Sequence, residues 1–211
     1  MRYKIWQWGE ECKKGSYEAF NVGLTTRAKH GDADSPFMVA NEMIALRLGR
    51  ILGLPIPDGV IIERDGEPFF ASMNINLEGF NLPPADASAV TRELGDLACG
   101  VIVFDIWIVN KDRHEFNLHY DNTKKAIYLI GQGACLYENE GFVRLLKNKD
   151  SIGIGPHCLA STITSVKPAR EWVNKIAQIP RYVIRDIIVE AAHLGVPVDD
   201  IKEYVDFLVE R

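Results

Sequence analysis

The chain has no run of 18 apolar residues, the length a helix needs to cross a bilayer. Its 47% hydrophobic content is therefore read as core, and no membrane partner is expected. A basic excess is also lacking. The 24 Lys and Arg against 29 Asp and Glu leave a net charge of −5, which argues against a broad nucleic-acid surface while leaving room for a local basic patch, so no direct nucleic-acid binding is expected. Cysteine is sparse: Cys12, Cys99, Cys135 and Cys158 stand far apart with no CxxC pair, which excludes a structural zinc site. Cys99 and Cys135 lie in apolar runs and read as buried thiols. There is no internal repeat and no low-complexity tract. The first residues carry Glu10 and Glu11 where a signal peptide would carry its apolar stretch, which predicts a cytoplasmic protein.

What is present is enough apolar sequence, in 211 residues, for one sizeable core or two small lobes sharing a cleft. The first part reads as strands with one helix. Tyr17 to Lys29 suits one or two strands, and His30 to Pro36 is a polar loop. Val39 to Leu52 predicts a helix with an apolar stripe of Ile44, Leu48, Ile51 and Leu52, capped by Gly53 and stopped by Pro55. Strands are expected over Val60 to Glu63 and Pro68 to Ile75, joined by a turn at Arg64 to Gly66. Asn76 to Ala87, with Gly79, Pro83 and Pro84, is the best linker. After it a helix is expected over Ser88 to Val109, with Ser88 as N-cap. A Lys-Asp-Arg-His loop follows, then a hairpin of Leu118–Tyr120 and Ala126–Ile130 around Asp121 and Asn122. Three more helical patterns cover about 169–179, 181–194 and 199–210. This order predicts an α+β protein of two lobes: residues 1–86 as a β-rich lobe with hinge, and residues 87–211 as a helical lobe.

The most informative stretch is Asp112-Arg113-His114-Glu115-Phe116-Asn117. Phosphoryl transfer from ATP needs a carboxylate to orient the accepting hydroxyl and take its proton. It also needs an amide oxygen to hold magnesium nearby, and Asp followed five positions later by Asn supplies both from one loop. The spacing alone also fits a surface turn with a helix cap. Asp105 lies two turns before the loop in an apolar stretch, where an acid must find a partner, and reads as a brace for the loop. His114 reads as a brace too. Arg113 suits either a brace or a substrate contact. His119, His157 and His193 have no partner at metal spacing and read as ordinary surface or core residues.

The segment from Phe104 through Asn110, Asp112 and Asn117 to Tyr120 resembles the catalytic segment of the HipA-like protein kinases. It is also similar to the Asp-Arg-His-x-x-Asn loop of phosphatidylinositol 3- and 4-kinases. Ile127 to Leu136 resembles the family's Ile-Asp-His-Gly segment. Ala40-Asn41-Glu42 and Leu52 to Pro57 resemble its small-lobe helix and the turn that ends it. The resemblance runs from about residue 25 to 137 and implies a two-lobed, protein-kinase-like fold. It implies ATP and Mg2+ as cofactors, Asp112 as catalytic base and Asn117 as a magnesium ligand. It implies a lysine–glutamate pair that positions the phosphates. Glu42 fits the glutamate, with a favourable charge at a helix N-terminus as its plainer reading. Lys29 is the best lysine, with Lys13 and Lys14 as rivals. The loop after Lys29 would cover the phosphates, although its two aspartates are unhelpful there.

One position breaks the pattern. The family has its main magnesium-binding aspartate where this chain has Gly131, and a histidine where it has Gln132. Gly131 is thus the third cofactor- and metal-site position, but glycine supplies no carboxylate. Gln132 offers a neutral oxygen whose side chain, on a continuing strand, points the other way. Two accounts stay open: a disabled variant of an active enzyme, and a natural pseudokinase that acts by binding. The first reading is a serine/threonine kinase acting on a protein substrate. Many relatives are growth-inhibiting toxins, so a toxin role is expected with it. The resemblance does not extend to the extra N-terminal domain of larger HipA proteins, and with a toxin role an antitoxin or companion subunit is expected as partner. A lipid-type kinase is also allowed by the loop, but no amphipathic basic surface supports it.

Overall fold

The computed structural model describes residues 5–12, 19–75, 81–136, 156–162 and 165–211. Tyr17, the first five residues of the expected linker, and the rival lysines Lys13 and Lys14 lie outside the described residues. The elements, in order, are β1 (Ile5–Glu11), β2 (Phe20–Leu24), β3 (Thr26–Lys29), α1 (Met38–Ile51), β4 (Gly59–Arg64) and β5 (Glu67–Met73). Then come α2 (Ala87–Trp107), β6 (Leu118–Asp121), β7 (Ala126–Leu129), α3 (Lys167–Ala177), α4 (Arg181–Ala191) and α5 (Ile201–Glu210).

Three small antiparallel sheets form: β1 with β2, β3-β5-β4, and β6 with β7. The β1–β2 ribbon, not expected as far back as Ile5, presents Trp6 and Trp8 to solvent, with Trp8 stacked on Phe20 at 5.3 Å. The β4–β5 turn falls where expected, at Asp65 and Gly66, both with positive φ, the geometry that matches strand twist in a two-residue hairpin.

Helix α1 sits at the centre. Ile44 and Leu48 are fully buried and Leu52 nearly so, whereas Ile51 is exposed and leaves the expected stripe. Positions 44, 48 and 52 stack at i, i+4, i+8 on one face, and 51 falls outside it. Gly53, with φ +73°, ends the helix. Its N–H reaches Arg50 O and that of Leu54 reaches Gly49 O, a Schellman ending in which the left-handed position favours glycine. Leu129 N–H then donates to Pro55 O at 3.0 Å, tying this turn to β7.

Helix α2 starts one residue earlier than expected and is capped by Asp86, not Ser88. The Asp86 carboxylate accepts from Ser88 N (2.9 Å) and Ala89 N (3.2 Å). A carboxylate at the N-cap satisfies orphan amides and meets the positive end of the helix dipole. Before the cap, the chain runs beside β6: Ala85 N–H donates to Leu118 O and Tyr120 N–H to Pro83 O. The far end of α2 is a second Schellman ending, with Asn110 N–H to Asp105 O and Val109 N–H to Ile106 O. Here the left-handed residue is Val109, φ +55°, where a β-branched side chain costs of order 1–2 kcal/mol. That strain sits directly before the Lys111–Asn117 loop. Cys99 and Cys135 are buried, as expected. Among the described residues no helix is long and apolar enough to cross a membrane.

Candidate active site

The loop after α2 is held from below by a buried polar network. Asp105 and Arg113 are both fully buried. Arg113 donates to the Asp105 carboxylate from Nε (2.8 Å) and Nη2 (3.1 Å). Its Nη1 donates to Asn117 O (2.7 Å) and Ile130 O (2.8 Å). One guanidinium therefore ties the end of the loop to the residue before Gly131. Asn110 Nδ2 donates to Asp105 at 2.8 Å. His157 completes the set: its Nδ1 accepts from Leu159 N–H, so Nε2 carries the proton that faces Asp105 Oδ2 at 3.1 Å. Burial raises the Asp105 carboxyl, but Arg113 and His157 outweigh it, and the net shift is downward. Asp105 is the brace that was expected, and Arg113 is a brace as well. The role of His157 was not legible, since nothing near it in sequence links it to Asp105.

Above this network Asp112 and Asn117 meet. Asn117 Nδ2 donates to Asp112 O (2.8 Å) and Asp112 Oδ2 (3.1 Å) and lies 3.1 Å from His114 Nε2. The two Asp112 oxygens fix which end of the amide is nitrogen. The Asn117 oxygen therefore faces Gly131, where an added Cβ would stand 2.5 Å from it. Gly131 has φ +69°, a region in which Asp and Asn are the best tolerated non-glycine residues. His114 braces the loop through Nδ1, which accepts from Phe116 N–H.

From the other side of the cleft, Lys29 ends β3 and reaches Glu42 of α1, Nζ to Oε1 3.5 Å. Glu42 is the fifth helical residue, beyond the first turn, and only 3% exposed. It is a buried carboxylate with a lysine partner rather than a surface charge on a helix dipole. Two adjoining cavities run between these halves. One, of about 340 Å³, has Arg27, Ile56, Phe70, Leu129 and Gln132 in its lining. The second, of about 500 Å³, has Lys29, His30, Glu42, Asp112, Asn117 and Gly131. Lys29, Glu42 and Gly131 line both, so all five expected site residues converge on one cleft.

Gln132 is buried beside the cleft. It is 1% exposed, and the residue borders the first cavity. Strand β7 ends at Leu129, and the left-handed backbone at Gly131 breaks the alternation. Arg27 was missed although its signal was available: two residues before Lys29 on a strand, it shares that lysine's face.

In its fold the chain is similar to the crystal structure of a Helicobacter pylori proinflammatory kinase, CtkA. The TM-score is 0.61 at 16% identity, over 96% of this chain and 91% of that one. No protein-family model matches the chain, and no curated protein does. The likeness establishes the fold, a two-lobed protein-kinase-like α+β architecture.

Such a fold implies a nucleotide with magnesium, so the donors present are the test. Among the described residues no group of three or more His, Cys, Asp and Glu forms a metal-holding cluster. At the junction of the cavities, Asn117 presents one neutral oxygen and position 131 presents none. Magnesium in kinases is held between a carboxylate and this amide. The residues present do not fit that arrangement.

The Lys29–Glu42 pair supports a prediction. Lys29→Met leaves a buried carboxylate unpaired and is expected to lower stability by about 1–3 kcal/mol. Adding Glu42→Gln is expected to recover most of that loss, because the buried group is then neutral. Thermal unfolding of the single and double variants checks it. A Lys29→Met protein as stable as the parent means the pair is not formed in solution.

Proposed function

We propose that the cleft is a nucleotide-binding, phosphoryl-transfer site of the HipA-like kinase type. In this reading ATP is the donor and a protein serine or threonine hydroxyl the acceptor. Lys29 and Glu42 position the phosphates, Asp112 takes the hydroxyl proton, and Asn117 is the amide beside it. The observation that carries the reading is the convergence of the Lys29–Glu42 pair with Asp112 and Asn117 on one cavity. A boundary near residue 86, with hinge, belongs to the same proposal and is supported by the change from strands to helices there. So do a protein substrate, a toxin role and an antitoxin or companion subunit, which rest on the resemblance alone.

Gly131 supports a second reading. With no carboxylate at the metal position, the chain as it stands is a binding module, and transfer needs an aspartate there. Incubation of γ-labelled ATP with a cell lysate, comparing the chain with its Gly131→Asp variant, separates the two.

In the Gly131→Asp background, Asp112→Ala is expected to lower transfer by about 10²–10⁴-fold, the usual worth of a general base. The Asp112 side chain is about half exposed, 54%, so stability should change by no more than about 0.5 kcal/mol. Undiminished transfer in that double variant removes Asp112 from the mechanism.

A further inference from the structure

Carboxylates outnumber cations at the phosphate end of the cleft. Glu42 and Asp112 line the larger cavity against Lys29, with His30 beside them, and Lys29 is already engaged by Glu42. Asp32 stands in the loop between His30 and Ser35, its carboxylate accepting from the Asp34 and Ser35 amides. In an active kinase such negative charge is offset by divalent metal accompanying the triphosphate. Here the donor set does not fit that metal: position 131 is glycine and supplies no carboxylate, and Asn117 offers beside it a single neutral amide oxygen.

The other cavity shares Lys29 and Glu42 with the larger one but adds Arg27 and no further carboxylate. Arg27 and Lys29 both line it, against Ile56, Phe70 and Leu129. They lie about 7 Å apart along β3. Arg27 makes no ion pair among the described residues, and it is exposed to the cleft. The cleft thus offers an apolar pocket with Arg27 as a cation outside any ion pair among the described residues, the Lys29–Glu42 pair shared by both cavities, and Asp112 in the larger one.

We infer that this cleft takes a nucleoside mono- or diphosphate, held without divalent metal, in preference to a nucleoside triphosphate. The inference rests on the nucleotide reading of the cleft. A third phosphate would bring charge against Glu42 and Asp112 with no counter-ion held by the protein.

The test is calorimetric titration of the intact chain with AMP, ADP and ATP, in EDTA and again in excess magnesium, with the guanine series alongside. In EDTA the mono- or diphosphate should bind at least about fivefold more tightly than the triphosphate, and magnesium should change ADP or GDP affinity by less than about twofold. Arg27→Gln should weaken diphosphate binding about tenfold with the melting temperature unchanged, since a surface guanidinium without a partner contributes little to stability. Gly131→Asp should bring magnesium dependence back and move the triphosphate to first place. The inference is overturned if the triphosphate binds tightest to the unaltered chain, if magnesium tightens diphosphate binding tenfold or more, or if Arg27→Gln binds as well as the parent. Those results leave the nucleotide reading standing. Failure of every nucleotide to bind, with or without metal, overturns that reading and this inference together.

Discussion

Gly131→Asp is expected to raise magnesium-dependent transfer by several orders of magnitude. Phosphoryl transfer depends on positioning and on neutralising the charge that spreads over the transferred group. Residue 131 lines both cavities beside the Asn117 oxygen, and an aspartate there supplies the carboxylate that glycine lacks. The change carries a structural consequence. The new Cβ would stand 2.5 Å from the Asn117 oxygen and 2.7 Å from its Cγ, so Asn117 must rotate away from Asp112. The left-handed backbone adds of order 1 kcal/mol for a non-glycine residue, and the melting temperature should fall by about 2–4 °C. Transfer to a lysate protein, counted with γ-labelled ATP, is the measurement. A folded Gly131→Asp protein that binds nucleotide and stays inert with every protein pool would give the binding-module reading the lead.

Asp105→Ala should be the most destabilising single change near the site, by about 3–5 kcal/mol. Removing one partner of a buried ion pair leaves the other charge without compensation, and Arg113 is fully buried. Arg113 would keep only the carbonyls of Asn117 and Ile130, and His157 would lose its acceptor. For a domain of this size that corresponds to a fall in melting temperature of about 10 °C or more. The same pair gives a pH dependence. The Asp105 carboxyl is held below its ordinary range. Its contribution is therefore present above the unfolded value near 4 and is lost as the pH falls through the lower folded value. Denaturant unfolding of parent and variant at neutral and acid pH checks both. A loss below about 1 kcal/mol at neutral pH would mean that the network does not hold the loop.

The parts of the site legible in the sequence were those set by spacing along one element. Asp112 and Asn117 belong to one loop, whereas Lys29 and Glu42 lie on two elements and were paired by the resemblance to the HipA-like kinases, not by spacing. The brace role of Asp105 followed from an acid set among apolar residues. What was illegible depended on tertiary placement or on a break in local regularity. His157 meets Asp105 across 52 positions. Asp86 and Ser88 are both good caps, and the pairing of residues 83–85 with β6 sets where the helix begins. The β1 strand alternates weakly and leaves both faces largely exposed, so no buried face marks it in the sequence.

The account stands on Lys29 lying beside the phosphates of a bound nucleotide. An acyl-phosphate derivative of ADP transfers its acyl group to a lysine amine held at the phosphates, releasing ADP. Peptide mapping after labelling the intact chain should find the modification at Lys29, with labelling suppressed by free ADP and absent from Lys29→Met. Modification at Lys13, Lys14 or scattered surface lysines, or labelling of Lys29 that free nucleotide does not suppress, would contradict the assignment of this cleft.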